Sequence, residues 1–430
     1  MDFILHGYYV NNPTWFYLSF LLIVSVYFKF NRLWSVRNLD LALLLLTGPG
    51  LLIVPHQRAL GYGWLFLTSG LLLIRVLMDQ MLTRRPRHDQ NMNSAGLAFL
   101  CAMTFALLMT KMMTEPPPDS TVESVRRANQ LLLGEKAAPV KTPSEDEGPT
   151  SILPTEFEVI AARSIAILAH LAVILGLVMV GRRVFGDHEA GLAMATLYML
   201  LPCTAYDVGK VHHVFPAALI VWAIWGYTRP FISGALLGLA CGTLFFPIFL
   251  LPLWAAFYGR RGAISFGLAV GCALSIMAGG VFLTSADTHA VWREVFGYIE
   301  WSELQFRVTD SASRGFWSDH ESAYRIPVFV GYLVMLAALT IWPRSKSLAH
   351  LISYSAAIII GTQFWYTQQG GVYVLWYLPI LLLVVFRPAL VQQFSPEGQT
   401  VQTSVTQKPM RLQRRAEMPS GSIRTSSYIR

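Results

Sequence analysis

Long apolar segments separated by short polar ones run along most of this chain. Each has the continuous apolar character of a buried or lipid-facing helix, without the strict alternation of a half-buried strand. Many approach the roughly 20 residues that cross a hydrocarbon core of roughly 30 Å. The pattern predicts an all-α, polytopic transmembrane helical bundle of about 13 helices. The segments cover residues 14–30, 39–55, 62–78, 94–112, 158–180, 190–206, 212–227, 231–246, 247–258, 263–284, 326–342, 348–366 and 372–386.

Composition supports a membrane protein and limits its partners. Of the 430 residues, 54% are hydrophobic and 13% are charged, against about 45–50% and about 25% in soluble domains. The net charge of +8 indicates cytoplasmic loops rather than nucleic-acid binding, because Lys and Arg mark the cytoplasmic side of membrane proteins. The four cysteines lie in or beside apolar segments without a CxxC pair, so we expect neither a disulfide framework nor a metal site.

Positive charge follows the first, third, fifth, seventh, eleventh and last apolar segments. With the N-terminus outside, all of these short basic stretches are cytoplasmic, as the positive-inside rule requires. The same arrangement places the C-terminus in the cytoplasm and the long polar segments 113–157 and 286–325 outside. The basic residues are Lys29, Arg32, Arg37, Arg84, Arg85, Arg87, Arg182, Arg183, Arg229, Arg344, Lys346 and Arg387.

Segment 231–258 decides the topology of everything that follows it. A single crossing would place Arg260 and Arg261 outside, whereas two crossings keep them inside. Its 28 residues give only about 21 Å per leg, so we predict a short helical hairpin. The break is expected at Phe246–Pro247, since proline donates no backbone hydrogen bond and disfavours helix in the residue before it. The alternative is one long, kinked and tilted helix.

Residues 1–388 are predicted to form one transmembrane domain. Residues 113–157, rich in Pro, Glu, Ser and Thr, indicate a flexible outer loop around a short surface helix. Residues 286–325 mix aromatic residues, acids and arginines at helical spacing, which predicts an ordered outer loop with an amphipathic interfacial helix. Residues 389–430 lack periodicity and are expected to form a disordered cytoplasmic tail.

Two ionisable residues lie inside apolar segments. Arg75, near the cytoplasmic end of the third segment, is expected to extend its side chain to the membrane surface. His170, near the middle of the fifth, is a functional candidate because of its position. The simpler interpretation, which we favour, is a neutral histidine hydrogen-bonded to a neighbouring helix.

Three polar clusters are expected on the outer side. In the loop "YDVGKVHH", the acid could deprotonate an acceptor hydroxyl; the alternative is a solvated loop with a simple Asp–Lys salt bridge. The stretch "WYTQQGGVYVLWYLP" combines aromatic rings with amides, which suits a sugar-binding wall or, alternatively, an interfacial aromatic belt. The third cluster lies within 286–325. The residues singled out are Asp207, Lys210, His212 and His213; Gln368, Gln369, Tyr373 and Trp376; and Glu300, Arg307 and Arg314.

The stretch "FISGALLGLACGTLFFPIFLLPLWAAFYGRRG" resembles the central motif of the GT-C superfamily of membrane glycosyltransferases, in particular the polyprenyl-phosphate-mannose-dependent family 87. The stretch "TQFWYTQQGGVYVLWYLPILLLVVFRP" resembles that family's closing helix. The resemblance covers roughly residues 160–388. Two departures stand out: Phe245 takes the place of the family lysine two residues before the proline, and the first outer loop, "HQRALGYG", lacks the acid that the superfamily places there.

The resemblance implies that a sugar is transferred from a polyprenyl-phosphate donor at the outer face of a membrane, the inner membrane of a bacterial cell. Asp207 would accept the proton, with Glu300 as the second choice, and Arg307 or Arg314 would hold the phosphate. The remaining residues singled out above would bind substrate. Membrane lipid and the lipid-linked donor are the expected partners, with no cofactor or metal. The alternative is a non-catalytic GT-C-like protein, or a transporter of a lipid-linked or small polar substrate.

Overall fold

The described part of the chain consists of helices and the turns that join them. The computed structural model describes residues 11–82, 90–118, 121–122, 125–126, 129, 155–284, 315–319, 322–366 and 369–388. Within these ranges there is no strand, so the predicted all-α class is confirmed there. Each of the thirteen predicted apolar segments coincides with helix.

Fourteen α-helices follow one another in the described ranges. They are α1 (Asn12–Tyr27), α2 (Val36–Leu45), α3 (Thr47–Ile53), α4 (Arg58–Leu77), α5 (Ser94–Thr114), α6 (Glu156–Val180), α7 (His188–Leu200), α8 (Pro202–Tyr206), α9 (Val211–Trp225), α10 (Pro230–Thr243), α11 (Leu251–Thr284), α12 (Arg325–Ile341), α13 (Leu348–Trp365) and α14 (Val374–Phe386).

Six helical spans in the described residues are long and apolar enough to cross a membrane. They are Val36–Ile53, Arg58–Met81, Ser94–Thr114, Glu156–Phe185, Phe246–Gly280 and Leu348–Trp365. Four shorter apolar helices, α9, α10, α12 and α14, accompany them. The membrane character of the chain thus rests on several long apolar helices, whereas the number of crossings and the side on which each terminus lies remain predictions.

The bundle is buried at its centre and apolar on its outside. Helices α7, α13 and α14 are almost wholly buried, and α14 contacts α7, α9 and α13. The peripheral helices α5, α6, α11 and α12 instead expose large apolar side chains. An exposed apolar surface of this extent is typical of a protein surrounded by lipid. Examples are Phe99, Leu168, Leu268 and Val334.

The predicted helical hairpin in 231–258 is confirmed. Helix α10 ends at Thr243, Leu244 adopts an extended conformation, and a 3₁₀ turn over Phe246–Leu250 leads into α11. The chain turns again at Gly259, whose φ of 71° is one that glycine adopts most readily. The break therefore falls at Leu244, before the predicted Phe246–Pro247. The physical reason is that proline is well accommodated in the first turn of a helix, so here it begins the return leg.

Small residues let α10 lie directly against the second half of α11. A Cβ atom added to Gly234 would lie 2.4 Å from the carbonyl oxygen of Phe266, and one added to Gly238 would lie 2.8 Å from Cβ of Ala273. The matching order of these contacts shows that α10 and residues 260–284 run parallel. The span Phe246–Gly280 is therefore two legs joined at the Gly259 turn, and not one straight crossing.

A buried ionic cluster ties the middle of α2 to the ends of α4 and α14. Arg75 binds Asp40 through two hydrogen bonds of 2.5 and 2.8 Å and lies 3.2 Å from Asp79. Arg387 donates to the other carboxylate oxygen of Asp79, through Nε at 3.0 Å and through Nη2. The expectation that Arg75 extends to the membrane surface is wrong, because two buried carboxylates offer the guanidinium a partner inside the bundle.

The predicted segments outside the bundle are described only in part. Between residues 121 and 129 the described residues are helical, and Val122 and Val125 pack on Ala162 of α6, as expected for a surface helix. Most of the outer segment 286–325, including its predicted interfacial helix, lies outside the described residues. The predicted tail 389–430 does too.

Candidate functional site

The loop between α8 and α9 is short and folded back on itself. The amide of Lys210 donates to the carbonyl of Asp207 at 3.0 Å, and the amide of His213 donates to the carbonyl of Lys210 at 3.1 Å. The side chains of Asp207 and Lys210 form an ion pair of 2.8 Å. The salt bridge considered for this loop is therefore present, and it holds a nearly buried carboxylate in a defined place.

His170 anchors this loop to the centre of the bundle. Its Nδ1 lies 3.0 Å from the hydroxyl of Tyr198 in α7, and its Nε2 lies 2.9 Å from the carbonyl oxygen of Val208. The ring is fully buried, and both nitrogens have partners. The expectation of a histidine hydrogen-bonded to a neighbouring helix is confirmed, and we assign His170 a structural role.

The "QQGG" turn between α13 and α14 depends on left-handed backbone. Gln369 has a φ of 51° and Gly371 a φ of 91°, values that a side chain disfavours and glycine tolerates. The amide of Gly371 donates to Oε1 of the buried Gln363 at 3.0 Å. The end of α13 therefore fixes the turn and, with it, the start of α14.

Five rings from the α10–α11 hairpin and this turn form an aromatic cluster: Phe245, Phe246, Tyr366, Tyr373 and Trp376. Phe246 stacks on Trp376 with ring centroids 4.7 Å apart, and Phe245 stacks on Tyr366 at 4.8 Å. Tyr373 and Trp376 are nearly parallel at 4.3 Å. The tip of the hairpin thus packs against aromatic rings from the turn and the start of α14.

The aromatic cluster meets the "YDVGKVHH" loop at His213. The indole N–H of Trp376 donates to Nδ1 of His213 at 2.7 Å, and the rings of His213 and Tyr373 are 4.8 Å apart. The rings of His212 and His213 are tilted against each other, with centroids 3.9 Å apart. Because an indole nitrogen can only donate, Nδ1 of His213 carries no proton. The residue is therefore neutral, with its proton on Nε2.

Two of the three polar clusters predicted for the outer side therefore lie side by side. The structure brings together the loop residues and the residues of the turn, and Gln369 lies in the turn itself. Whether the third segment joins them is untested, because its candidates lie outside the described residues, as does Gln368. The residues placed at one site are Asp207, Lys210, His212, His213, Gln369, Tyr373 and Trp376, and the undescribed ones are Glu300, Arg307, Arg314 and Gln368.

Several residues of the site were not singled out as site residues from the sequence. Phe245 stands out in the sequence only as a departure from the family lysine, yet its ring packs against both Tyr366 and Trp376 in the aromatic cluster. Arg325 is buried and donates through Nε and Nη2 to the carbonyl of Trp365, at 3.2 Å each, at the end of α13. An arginine directly before an apolar segment was the available signal, but its partner depends on helix packing.

The arrangement offers flat aromatic faces beside an ion pair and a neutral histidine. Aromatic faces can stack on the CH faces of a sugar, and an acid beside them can accept a proton from a hydroxyl. Among the residues that the structure describes, no group of three His, Cys, Asp or Glu side chains is placed to hold a metal ion.

In the part of the chain that the structure describes, fold and site together define a helical protein with several helices of membrane-spanning length and a charged, aromatic site where two interhelical loops meet a helical hairpin. Comparison of the chain with protein-family models, with curated proteins and with solved structures found no match.

Proposed function

We propose that this protein is a membrane glycosyltransferase that moves a sugar from a polyprenyl-phosphate donor to a hydroxyl acceptor. One observation carries the proposal: the aromatic cluster at the hairpin tip adjoins the loop that holds Asp207 and Lys210. The aromatic cluster itself joins the two stretches whose sequences resemble GT-C enzymes, through Phe245 and Phe246 against Tyr366 and Trp376. An analogy of fold alone would not support an activity, so the proposal rests on the site.

In the proposed reaction the donor sugar lies against Tyr373 or Trp376. The acceptor hydroxyl loses its proton to the carboxylate of Asp207 while its oxygen forms a bond to the anomeric carbon of the sugar. The bond between that carbon and the phosphate oxygen breaks, and polyprenyl phosphate leaves. Lys210, which pairs with Asp207 at 2.8 Å, would position the carboxylate before transfer.

The test is sugar transfer by the purified full chain. We expect labelled sugar to pass from a polyprenyl-phosphate donor to an acceptor, and Asp207→Asn to abolish transfer because it removes the proton acceptor with little change in volume. The matched control is Asp187→Asn, because Asp187 caps α7 by accepting from the amide of Ala190 at 3.0 Å and asparagine caps a helix equally well. Full activity of Asp207→Asn would refute its role.

A second candidate function, binding or transport of a lipid-linked substrate without transfer, is favoured by the state of Asp207. This carboxylate is 7% exposed and already paired with Lys210, and Phe245 replaces the family lysine at the hairpin tip. Donor binding without transfer in the wild type, together with weakened binding in Trp376→Ala, would support this second function over the first.

A further inference from the structure

A partly open cavity of about 90 Å³ lies between the ends of α5 and α6 and the loop that follows α8. It shares Lys210 with the site described above and contains no member of the aromatic cluster. Its lining combines apolar side chains with hydrogen-bond donors and one carboxylate, that of Glu115. The apolar lining residues include Met112, Ala162 and Ala166, and the donors are Arg163, Tyr206 and Lys210.

Two polar atoms on residues that line this cavity have no hydrogen-bond partner among the described residues. They are Nε of Arg163 and the hydroxyl of Tyr206, and both atoms are buried. Arg163 makes one hydrogen bond, from Nη2 to the carbonyl oxygen of Glu115 at 3.2 Å. A buried donor without a partner is unfavourable, and a charged one more so. Both groups are therefore suited to a ligand with acceptor oxygens.

The charges around the cavity balance except for one. Lys111 lies 3.5 Å from Glu115, and Lys210 lies 2.8 Å from Asp207. Arg163 has no ion pair with any described acid. The described groups thus leave one positive charge, and a ligand with a single negative charge would neutralise it.

The surroundings of the cavity point to a lipid-rich environment. On α6, Ile160 precedes Arg163 and Leu168 follows it, and the side chain of each is 62% exposed. On α5, Leu107 and Met113 are exposed as well. Large exposed apolar residues on both flanking helices are typical of a lipid-facing surface. A guanidinium at the ends of such helices is placed where lipid head groups lie, and arginine binds phosphate oxygens through paired hydrogen bonds.

We propose that this cavity binds one phosphate group, with Arg163 and the hydroxyl of Tyr206 as its donors. The group is the phosphodiester of an anionic membrane lipid or a free phosphate, because both present the same oxygens. The site does not depend on the proposed transferase activity. It would be occupied whether or not sugar is transferred.

The test is lipid binding by the delipidated full chain in detergent, followed by native mass spectrometry. The probe is phosphatidylglycerol, and diacylglycerol with the same acyl chains serves as the phosphate-free comparison. We expect Arg163→Gln to weaken phosphatidylglycerol binding about tenfold, which corresponds to about 1.4 kcal/mol. The matched control is Arg182→Gln, at the opposite end of the same helical span, which should leave binding unchanged.

Two further arms keep the test decisive. If Arg163→Gln fails to fold, Tyr206→Phe removes only the hydroxyl and should still weaken phosphatidylglycerol binding several-fold. Displacement of the lipid by inorganic phosphate would identify free phosphate as a ligand of this site, whereas Arg163-dependent lipid binding without displacement would identify the lipid. The proposal is overturned if diacylglycerol binds as tightly as phosphatidylglycerol, or if Arg163→Gln and Arg182→Gln have equal effects.

Discussion

The contact between α10 and the second half of α11 makes a sharp prediction about one methyl group. In Gly234→Ala, the added Cβ would lie 2.4 Å from the carbonyl oxygen of Phe266, whereas ordinary contacts begin at 3.4 Å. The atom it meets belongs to the backbone, so no side-chain rotation can relieve the clash. The two helices must separate locally by about 1 Å, the difference between these two distances.

The size of the effect follows from a matched substitution on the partner helix. Overpacking of this kind typically costs about 1–3 kcal/mol, while the exchange of glycine for alanine inside a helix gains about 0.5–1 kcal/mol. Gly267, the neighbour of Phe266, faces open space, with nothing within 4 Å of an added Cβ. Because the gain in helix propensity is common to both substitutions, it cancels. Gly234→Ala should therefore be less stable than Gly267→Ala by about 1–3 kcal/mol.

Buried thiols provide the assay. Cys101 and Cys203 are buried and free, so a fluorogenic maleimide reports on their exposure during heating in detergent. Cys272 is exposed and should be replaced by serine in every variant, because it reacts in the folded state. We expect Gly234→Ala to unfold at a lower temperature than the parent chain, and Gly267→Ala at the same or a higher temperature. Equal unfolding temperatures for the two variants would refute the close helix contact.

Three further predictions address the ionic cluster, the buried histidine and the topology. Asp79→Asn removes the carboxylate that Arg387 contacts inside the bundle, so it should lower the free energy of unfolding by about 3–5 kcal/mol. Glu156 is exposed, so Glu156→Gln should change that free energy by less than about 0.5 kcal/mol. Similar melting curves for the two variants would contradict the burial of the cluster. His170→Phe leaves the Tyr198 hydroxyl and the Val208 carbonyl without their hydrogen bonds to the ring. Each loss should lower the free energy of unfolding by about 1–3 kcal/mol, measured by the same thiol assay. An unchanged unfolding temperature would argue against the anchoring role of His170. The cysteine introduced by Met410→Cys should not react with an impermeant thiol reagent in intact cells, because the C-terminus is predicted to be cytoplasmic. Labelling from outside would contradict the predicted orientation.

The helices of this protein follow from its sequence because their cause is local. Continuous apolar segments predict helices for burial or lipid contact, and all thirteen predicted segments are helical in the described ranges. The hairpin in 231–258 was also predictable, from the positions of Arg260 and Arg261 and the length of the segment. The exact break was not, because a proline can end one helix or begin the next, and only the path of the chain decides between them.

The candidate site was predictable in its residue types and only partly in its arrangement. His213 and Trp376 are separate candidates in the sequence, 163 positions apart, and their hydrogen bond depends on how α9 packs against α14. The same reason explains the error over Arg75, since its partner Asp40 lies 35 positions away on another helix. Arg163 was not noticed at all, because an arginine near the end of an apolar segment is ordinary until the cavity beside it is known.

The sequence by itself determined where this chain is helical, which segments are apolar enough for a membrane and which polar residues could carry chemistry. These properties depend on residues close together along the chain, through hydrophobic periodicity, proline and charge. Only the tertiary structure decided which acid meets which arginine, that the aromatic cluster forms at the hairpin tip, and that a cavity lined by Arg163 lies beside α6. Those features arise from contacts between distant segments, and helix packing sets such contacts through the shapes of all the side chains at once.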